Sequence, residues 1–172
     1  KIKWDVLLSA ELPLYRGDAC ECPVCGAHLN RFKPIFKSFP RKLEESGFVY
    51  PLASFETLNL AAYSCPSCDA SDRERLYALY LRQRLAGLDA GRRYRFIDFA
   101  PSLALSRLLR TMERLEYRTA DYFRPNVDDR VDISNMPLYA DDSVDAFLCS
   151  HILEHVPDDR ADARGRSGGK SK

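Results

Sequence analysis

Four cysteines fall into two pairs of identical spacing, Cys22-Pro-Val-Cys25-Gly26 and Cys65-Pro-Ser-Cys68-Asp69. Two residues between thiolates let both sulfurs turn toward one point, and a turn-forming residue after the second cysteine frees backbone amides to bond them. Two such knuckles complete a tetrahedral shell of four sulfurs, which suits Zn2+. Gly26 fills the turn position after Cys25; Asp69 fills it after Cys68, a tolerable but poorer choice. Disulfides are the competing use of these thiols, and they are disfavoured because the Lys1–Arg16 segment lacks the layout of a secretory signal. Of the other cysteines, Cys20 reads as a spare surface thiol, with replacement of Cys22 in the shell as its alternative. Cys149 lies in an apolar strand pattern and reads as a buried structural thiol.

A second set of chemistry-bearing residues is acidic. Asp98, Asp121 and Asp132 close three successive segments of strand-like pattern. The interval from Asp98 to Asp121 is close to the ~20 residues expected between a nucleoside-binding turn and the carboxylate that takes ribose hydroxyls. A carboxylate there accepts two hydrogen bonds from a vicinal diol, and one at Asp132 can accept from an adenine amino group. No Gly-Lys-Ser/Thr phosphate loop precedes residue 168. The set therefore favours a nucleoside cofactor without a phosphate chain, S-adenosylmethionine over NAD. Beyond the next apolar strand comes a polar cluster, Ser150–Asp159, that includes His151, Glu154 and His155. Taken singly, such acids serve as helix caps or solvated turns, and the two histidines can merely cover the next helix.

The elements that must position these residues are readable from pattern. Ser71-Asp-Arg-Glu74 is a capping box. Behind it Tyr77, Leu81, Leu85 and Leu88 recur at helical spacing, joined by Leu76 and Tyr80, with Gly87 placed to stop the helix and Arg73, Arg75, Arg82 and Arg84 on the solvent side. Tyr94–Ala100 reads as a strand, Pro101-Ser102 as a turn into a helix, and Leu105, Leu108, Leu109 and Met112 as that helix's buried stripe. Glu116–Asp121, a short Arg130–Ile133 and Val144–Cys149 read as three further strands. Strand–helix alternation of this kind makes an α/β fold with a doubly wound, Rossmann-like sheet. The expected organisation is a leader (1–17), a small zinc-ribbon module with a hairpin-rich insert (18–70), a connecting helix (71–90), the sheet (91–160) and a tail (161–172). That tail has no Leu, Ile, Val, Met or aromatic residue and is expected to be disordered.

The 172 residues, 45% of them hydrophobic, accommodate one medium domain or a small module with part of a larger one. A net charge of +1 argues against an overall nucleic-acid-binding field. Locally, Arg31–Lys42 carries five basic residues and three phenylalanines with no acid. That stretch either grips phosphates and bases or is a solvated face whose Phe32, Phe36 and Phe39 fill a small core over the metal. No apolar run approaches the ~20 residues of a membrane span, so the expected compartment is the cytoplasm.

Residues 94–159 resemble the first half of a class I S-adenosylmethionine-dependent methyltransferase domain. The order of zinc knuckles, then Ser-Asp-Arg-Glu-Arg-Leu-Tyr-Ala-Leu-Tyr-Leu, then that domain is similar to bacterial methyltransferases with an N-terminal zinc ribbon. The resemblance implies that Asp98, Phe99, Ala100, Pro101 and Ser102 underlie the methionine part of the cofactor. It likewise assigns Asp121 to the ribose, Asp132 and Ile133 to the adenine, and His151 to the position facing the sulfonium. The turn Phe99-Ala100-Pro101-Ser102 departs from the family's Gly-x-Gly pattern, and Pro101 removes an amide donor. The family continues with about three more strands after the helix that begins near His155. The domain is therefore expected to be truncated after the fourth strand and inactive as it stands, with that strand an open edge prone to self-association. The methyl acceptor, whether small molecule, glycan, RNA or protein, stays open, with Glu154, His151 and His155 as candidates for proton removal. The alternative reading is a zinc-ribbon module that binds RNA or another partner, attached to a non-catalytic methyltransferase-like domain.

Overall fold

In the computed structural model, residues 12–55 and 58–156 are described. The chain divides into two units, Lys1–Gly87 and Leu88–Lys172. The tail expected over 161–172 lies outside the described residues, as does most of the expected leader.

In the first unit a single turn of 3-10 helix, Leu12–Tyr15, leads into β1, Arg16–Glu21, so regular structure begins inside the segment read as a leader. β1 pairs antiparallel with the two-residue β2, His28–Leu29. The first cysteine knuckle lies in the connection between them. The long connection to the second knuckle shows no hairpin of regular strands among its described residues. It holds α1, Ser38–Glu45, a 3-10 turn at Leu52–Ser54, and an antiparallel bridge between Lys33 and Ser64. α1 tolerates Pro40 because that residue falls in the first turn, where its missing N–H has no partner to lose. An Arg41–Glu45 pair one turn apart supports it.

α2, Asp72–Ala86, starts just past the second knuckle. Its capping box forms as the sequence predicts: the Glu74 N–H donates to Ser71 Oγ at 3.3 Å, and the Ser71 N–H donates to Glu74 Oε2 at 2.6 Å. Of the expected stripe, Tyr77, Leu81 and Leu85 are half-buried and Leu88 is exposed. Leu76 and Tyr80 are exposed, and the helix turns Arg75 and Ala78 inward instead.

The second unit is a three-stranded parallel sheet of order β4-β3-β5, built from β3, Tyr94–Phe99, β4, Leu115–Ala120, and β5, Ala146–Cys149. α3, Leu103–Leu109, connects β3 to β4, its N-terminus capped by Ser102 Oγ, which accepts from the Leu105 N–H at 3.2 Å. Phe99 is level with Ala120 on one side and with Cys149 on the other, so the three carboxyl ends open at one edge of the sheet. One face carries the core cluster of Ile97, Phe99, Ala120 and Val131, with Ile133, Met136, Tyr139, Val144, Cys149 and Ile152 packed against it.

The strand expected at Arg130–Ile133 is absent among the described residues. In its place Asp129 makes a single parallel bridge to Ala120, and Asp132 bridges Asn135. The physical reason lies in the side chains before it. Asp128 Oδ2 accepts from the Thr119 N–H and hydroxyl, both at 2.8 Å, and Asp129 is paired with Arg118. Two backbone bonds at Asp129, to the Thr119 carbonyl at 2.9 Å and from the Asp121 N–H at 3.2 Å, together with these carboxylates hold the segment against β4 one residue before the expected strand, while Val131 and Ile133 still reach the core. β5 pairs with β3 and with no other strand among the described residues, and Phe147 on it is 45% exposed. No helix among the described residues is long and apolar enough to cross a membrane.

Candidate functional site

The two knuckles have the same backbone construction. In the first, the Gly26 N–H donates to the Cys22 carbonyl at 2.8 Å and the Cys22 N–H to the Ala27 carbonyl at 3.0 Å. In the second, the Asp69 N–H donates to the Cys65 carbonyl and the Cys65 N–H to the Ala70 carbonyl, both at 2.9 Å. Each loop closes on a residue in the left-handed region, Gly26 at φ +71° and Asp69 at φ +62°. Aspartate tolerates that region better than most side chains, since its short polar group bonds locally.

These loops bring the four sulfurs together, all within 4.8 Å of one another. Across the knuckles, Cys22 Sγ lies 3.9 Å from Cys68 Sγ and Cys25 Sγ lies 3.8 Å from Cys65 Sγ. A tetrahedral shell with metal–sulfur bonds of about 2.3 Å requires sulfurs about 3.8 Å apart. Cys22 and Cys65 are fully buried, Cys68 is half-buried and Cys25 is exposed. Bonds from the Cys65 and Cys68 thiols hold the Cys22 thiol far below its ordinary range, and the same bonds raise Cys65 and Cys68. A cation at the centre would favour the thiolate form of all four. Cys20 stays out of the cluster, with its Sγ 3.5 Å from the Leu29 carbonyl.

Three of the five cations in the basic stretch have partners within the chain. Arg31 lies over the Tyr15 ring, Lys42 over Phe36, and Arg41 pairs with Glu45. Phe36 and Phe39 meet edge to face, yet Phe36 is 52% exposed and fills no core.

In the second unit Ala100, Asp121 and His151 follow the carboxyl ends of β3, β4 and β5, Asp98 lies within β3, and the carboxylates are already engaged. Asp98, 2% exposed within β3, accepts from the Tyr117 hydroxyl at 2.6 Å. That phenol, raised by burial and by the Asp98 charge, stays protonated and so remains a donor. Asp121, just past β4, accepts at Oδ1 from the N–H groups of Phe123 (2.8 Å) and Arg124 (2.9 Å), while Oδ2 faces the Arg124 guanidinium at 3.5 Å. Asp132 Oδ1 accepts from the Ser134 N–H at 2.9 Å and its hydroxyl at 2.7 Å, which lower its pKa. Ile133 packs against the core.

Phe99 is buried, and Ala100 after it takes φ +50°. The Pro101 carbonyl accepts from Arg124 Nη1 at 2.8 Å. His151, past the end of β5, takes φ +55° and sets Nδ1 2.8 Å from Glu154 Oε1. Two non-glycine residues in the left-handed region at the ends of neighbouring strands mark backbone strain of the kind that collects at ligand sites. The side chain of His155 lies outside the described residues. Cys149 is half-buried at the end of β5, its thiol raised to about 11 by burial and the Asp98 charge.

Sequence reasoning missed three features: the Asp128–Asp129 clamp on β4, the Ser134 partner of Asp132, and the burial of Arg75. The consecutive acids at 128 and 129 were the available signal for the first. Comparison of the chain with known protein families, curated proteins and solved structures finds no match.

Proposed function

We propose that this chain belongs to an S-adenosylmethionine-dependent methyltransferase whose N-terminal unit is a zinc-ribbon module. The observation that supports the reading is the order β4-β3-β5 of parallel strands, whose carboxyl ends lie level with Ala100, Asp121 and His151 just beyond them, while Asp98 is buried within β3. In an open α/β sheet, ligands bind outside the carboxyl ends of the strands. The sheet is read as the leading half of a Rossmann-like domain, with β3 as its first strand, β4 as its second and β5 as its fourth.

The residues fit a nucleoside cofactor at the ribose position. Asp121 Oδ2 is met only by a long contact to Arg124, so a vicinal diol can displace that guanidinium while Oδ1 keeps its turn. Asp98, Phe99, Ala100 and Pro101 would lie under the methionine part, Asp132 and Ile133 beside the adenine, and His151 toward the reacting methyl. The bound cofactor would supply an electrophilic methyl on a sulfonium. The protein's task is then to position an acceptor nucleophile and to exclude water. The acceptor is a small molecule, glycan, RNA or protein. In the first unit Cys22, Cys25, Cys65 and Cys68 would hold Zn2+. Four sulfurs leave no open coordination position, so the metal's part is structural.

Titration calorimetry with S-adenosylmethionine tests the cofactor reading. Binding is expected in the wild-type chain, and Asp121→Ala should weaken it by about 1.5–3 kcal/mol, the usual size for hydrogen bonds to a charged group. No binding to the wild-type chain, or an unchanged dissociation constant in Asp121→Ala, contradicts it.

A further inference from the structure

Arg75 is a buried charged residue whose hydrogen bonds go to uncharged carbonyls. It is 8% exposed, and its Nη1 donates to the Tyr63 carbonyl at 3.0 Å and to the Ala70 carbonyl at 3.1 Å. Nη2 donates to the Ala62 carbonyl, and the guanidinium plane lies 3.9 Å from the centre of the Phe32 ring. Burying a cation is costly unless its donors are satisfied, so a fork placed on three carbonyls and a ring face is a built feature.

What the fork holds is the backbone on either side of the second cysteine knuckle. The Ala70 carbonyl that accepts from Arg75 also accepts the Cys65 N–H, the bond that closes the second knuckle. Ala62 and Tyr63 lead directly into that knuckle. Phe32 follows β2, so the same side chain also packs on the segment that leaves the first knuckle's hairpin. A shell of four thiolates around a divalent ion also keeps a net negative charge, which a nearby fixed cation offsets.

We infer that Arg75 is a positioning residue of the metal centre, holding the Cys65–Cys68 knuckle in ligating geometry. The inference rests on the zinc reading of the four cysteines. It makes metal retention, and not fold alone, depend on a guanidinium that contributes no ligand atom.

The experiment uses the full chain loaded with zinc, and again with cobalt. Wild type, Arg75→Met, Arg75→Lys and Arg82→Met, the last changing an exposed arginine of the same helix, are compared. Zinc transfer to a chromogenic chelator and the visible spectrum of the cobalt form are the readouts. Arg75→Met should lose zinc about 10-fold faster or more, the usual effect of removing a group that orients ligands. Arg75→Lys, which keeps the charge but not the fork, should fall between it and wild type. The cobalt ligand-field bands should change in both Arg75 variants and stay fixed in Arg82→Met. Wild-type release and spectrum in Arg75→Met overturn the inference; if that variant does not fold, the same result in Arg75→Lys does so. A wild-type chain that takes up neither metal overturns the zinc reading itself and this inference with it.

Discussion

The cysteine knuckles and the carboxyl edge of the sheet hold their polar groups in opposite ways. At the knuckles four like ligand atoms converge within 4.8 Å, and their main partners are one another. At the sheet edge each carboxylate already has donors from the protein: Tyr117 for Asp98, two backbone amides for Asp121, Ser134 for Asp132. Four thiols at this spacing could hold a metal ion, which would let all of them ionise. The sheet edge stands without a ligand, and a cofactor there must use remaining lone pairs or displace Arg124. Convergence of like ligand groups is a sharper sign of a ligand than the presence of acids at strand ends.

Removing the metal should break the comparison most strongly. A structural zinc in a small module supplies about 10–16 kcal/mol of apparent folding free energy. Chelation should therefore unfold residues 12–87 while the sheet survives, seen by limited proteolysis with mass mapping as cleavage confined to the first unit. Equal protection of both units after complete zinc removal would show that the knuckles stand unaided.

The mirror experiment is Ile97→Ala. Ile97 is fully buried in the sheet core, and such truncations cost about 2–5 kcal/mol. The urea midpoint of the second unit should fall while zinc content stays at the wild-type level. Loss of zinc in this variant would mean that the two units do not fold independently.

A smaller effect sharpens the contrast through pH. For Asp128, hydrogen bonds from Thr119 and Arg110 outweigh burial and lower the pKa; for Asp129, bonds from Arg118 lead, against burial. Both folded values lie below the unfolded ones. Their contribution is therefore present above the ordinary carboxylate range and is lost as pH falls through the depressed values. Urea midpoints for the second unit should decline between about pH 5 and pH 3. Asp128→Asn/Asp129→Asn should flatten that decline, and an unchanged slope would remove the clamp from the explanation.

What was legible in the sequence follows from how local the signal was. The knuckles and the Ser71 capping box depend on residues within five positions of one another, and both formed as read. The strands at residues 94–99, 115–120 and 146–149 were also readable, because alternation and apolar runs report burial directly. Arg75 was placed on the solvent side because pattern treats arginine as polar. Only the carbonyls of Ala62, Tyr63 and Ala70, brought in by the fold, make its burial affordable. The missing strand near residue 131 failed for a related reason: Asp128 and Asp129 bind β4 through side chains, which strand propensity does not weigh. The apolar alternation of Val131 and Ile133 was right about the core and wrong about the ladder.

Native mass spectrometry of the chain purified without chelator tests the metal centre most directly. The wild-type chain should carry the mass of one zinc ion, Cys20→Ser should keep it, and Cys65→Ser should lose it. A zinc-free wild-type chain, or full occupancy in a Cys22→Ser/Cys65→Ser double variant, would contradict the assignment of Cys22, Cys25, Cys65 and Cys68 as the ligands.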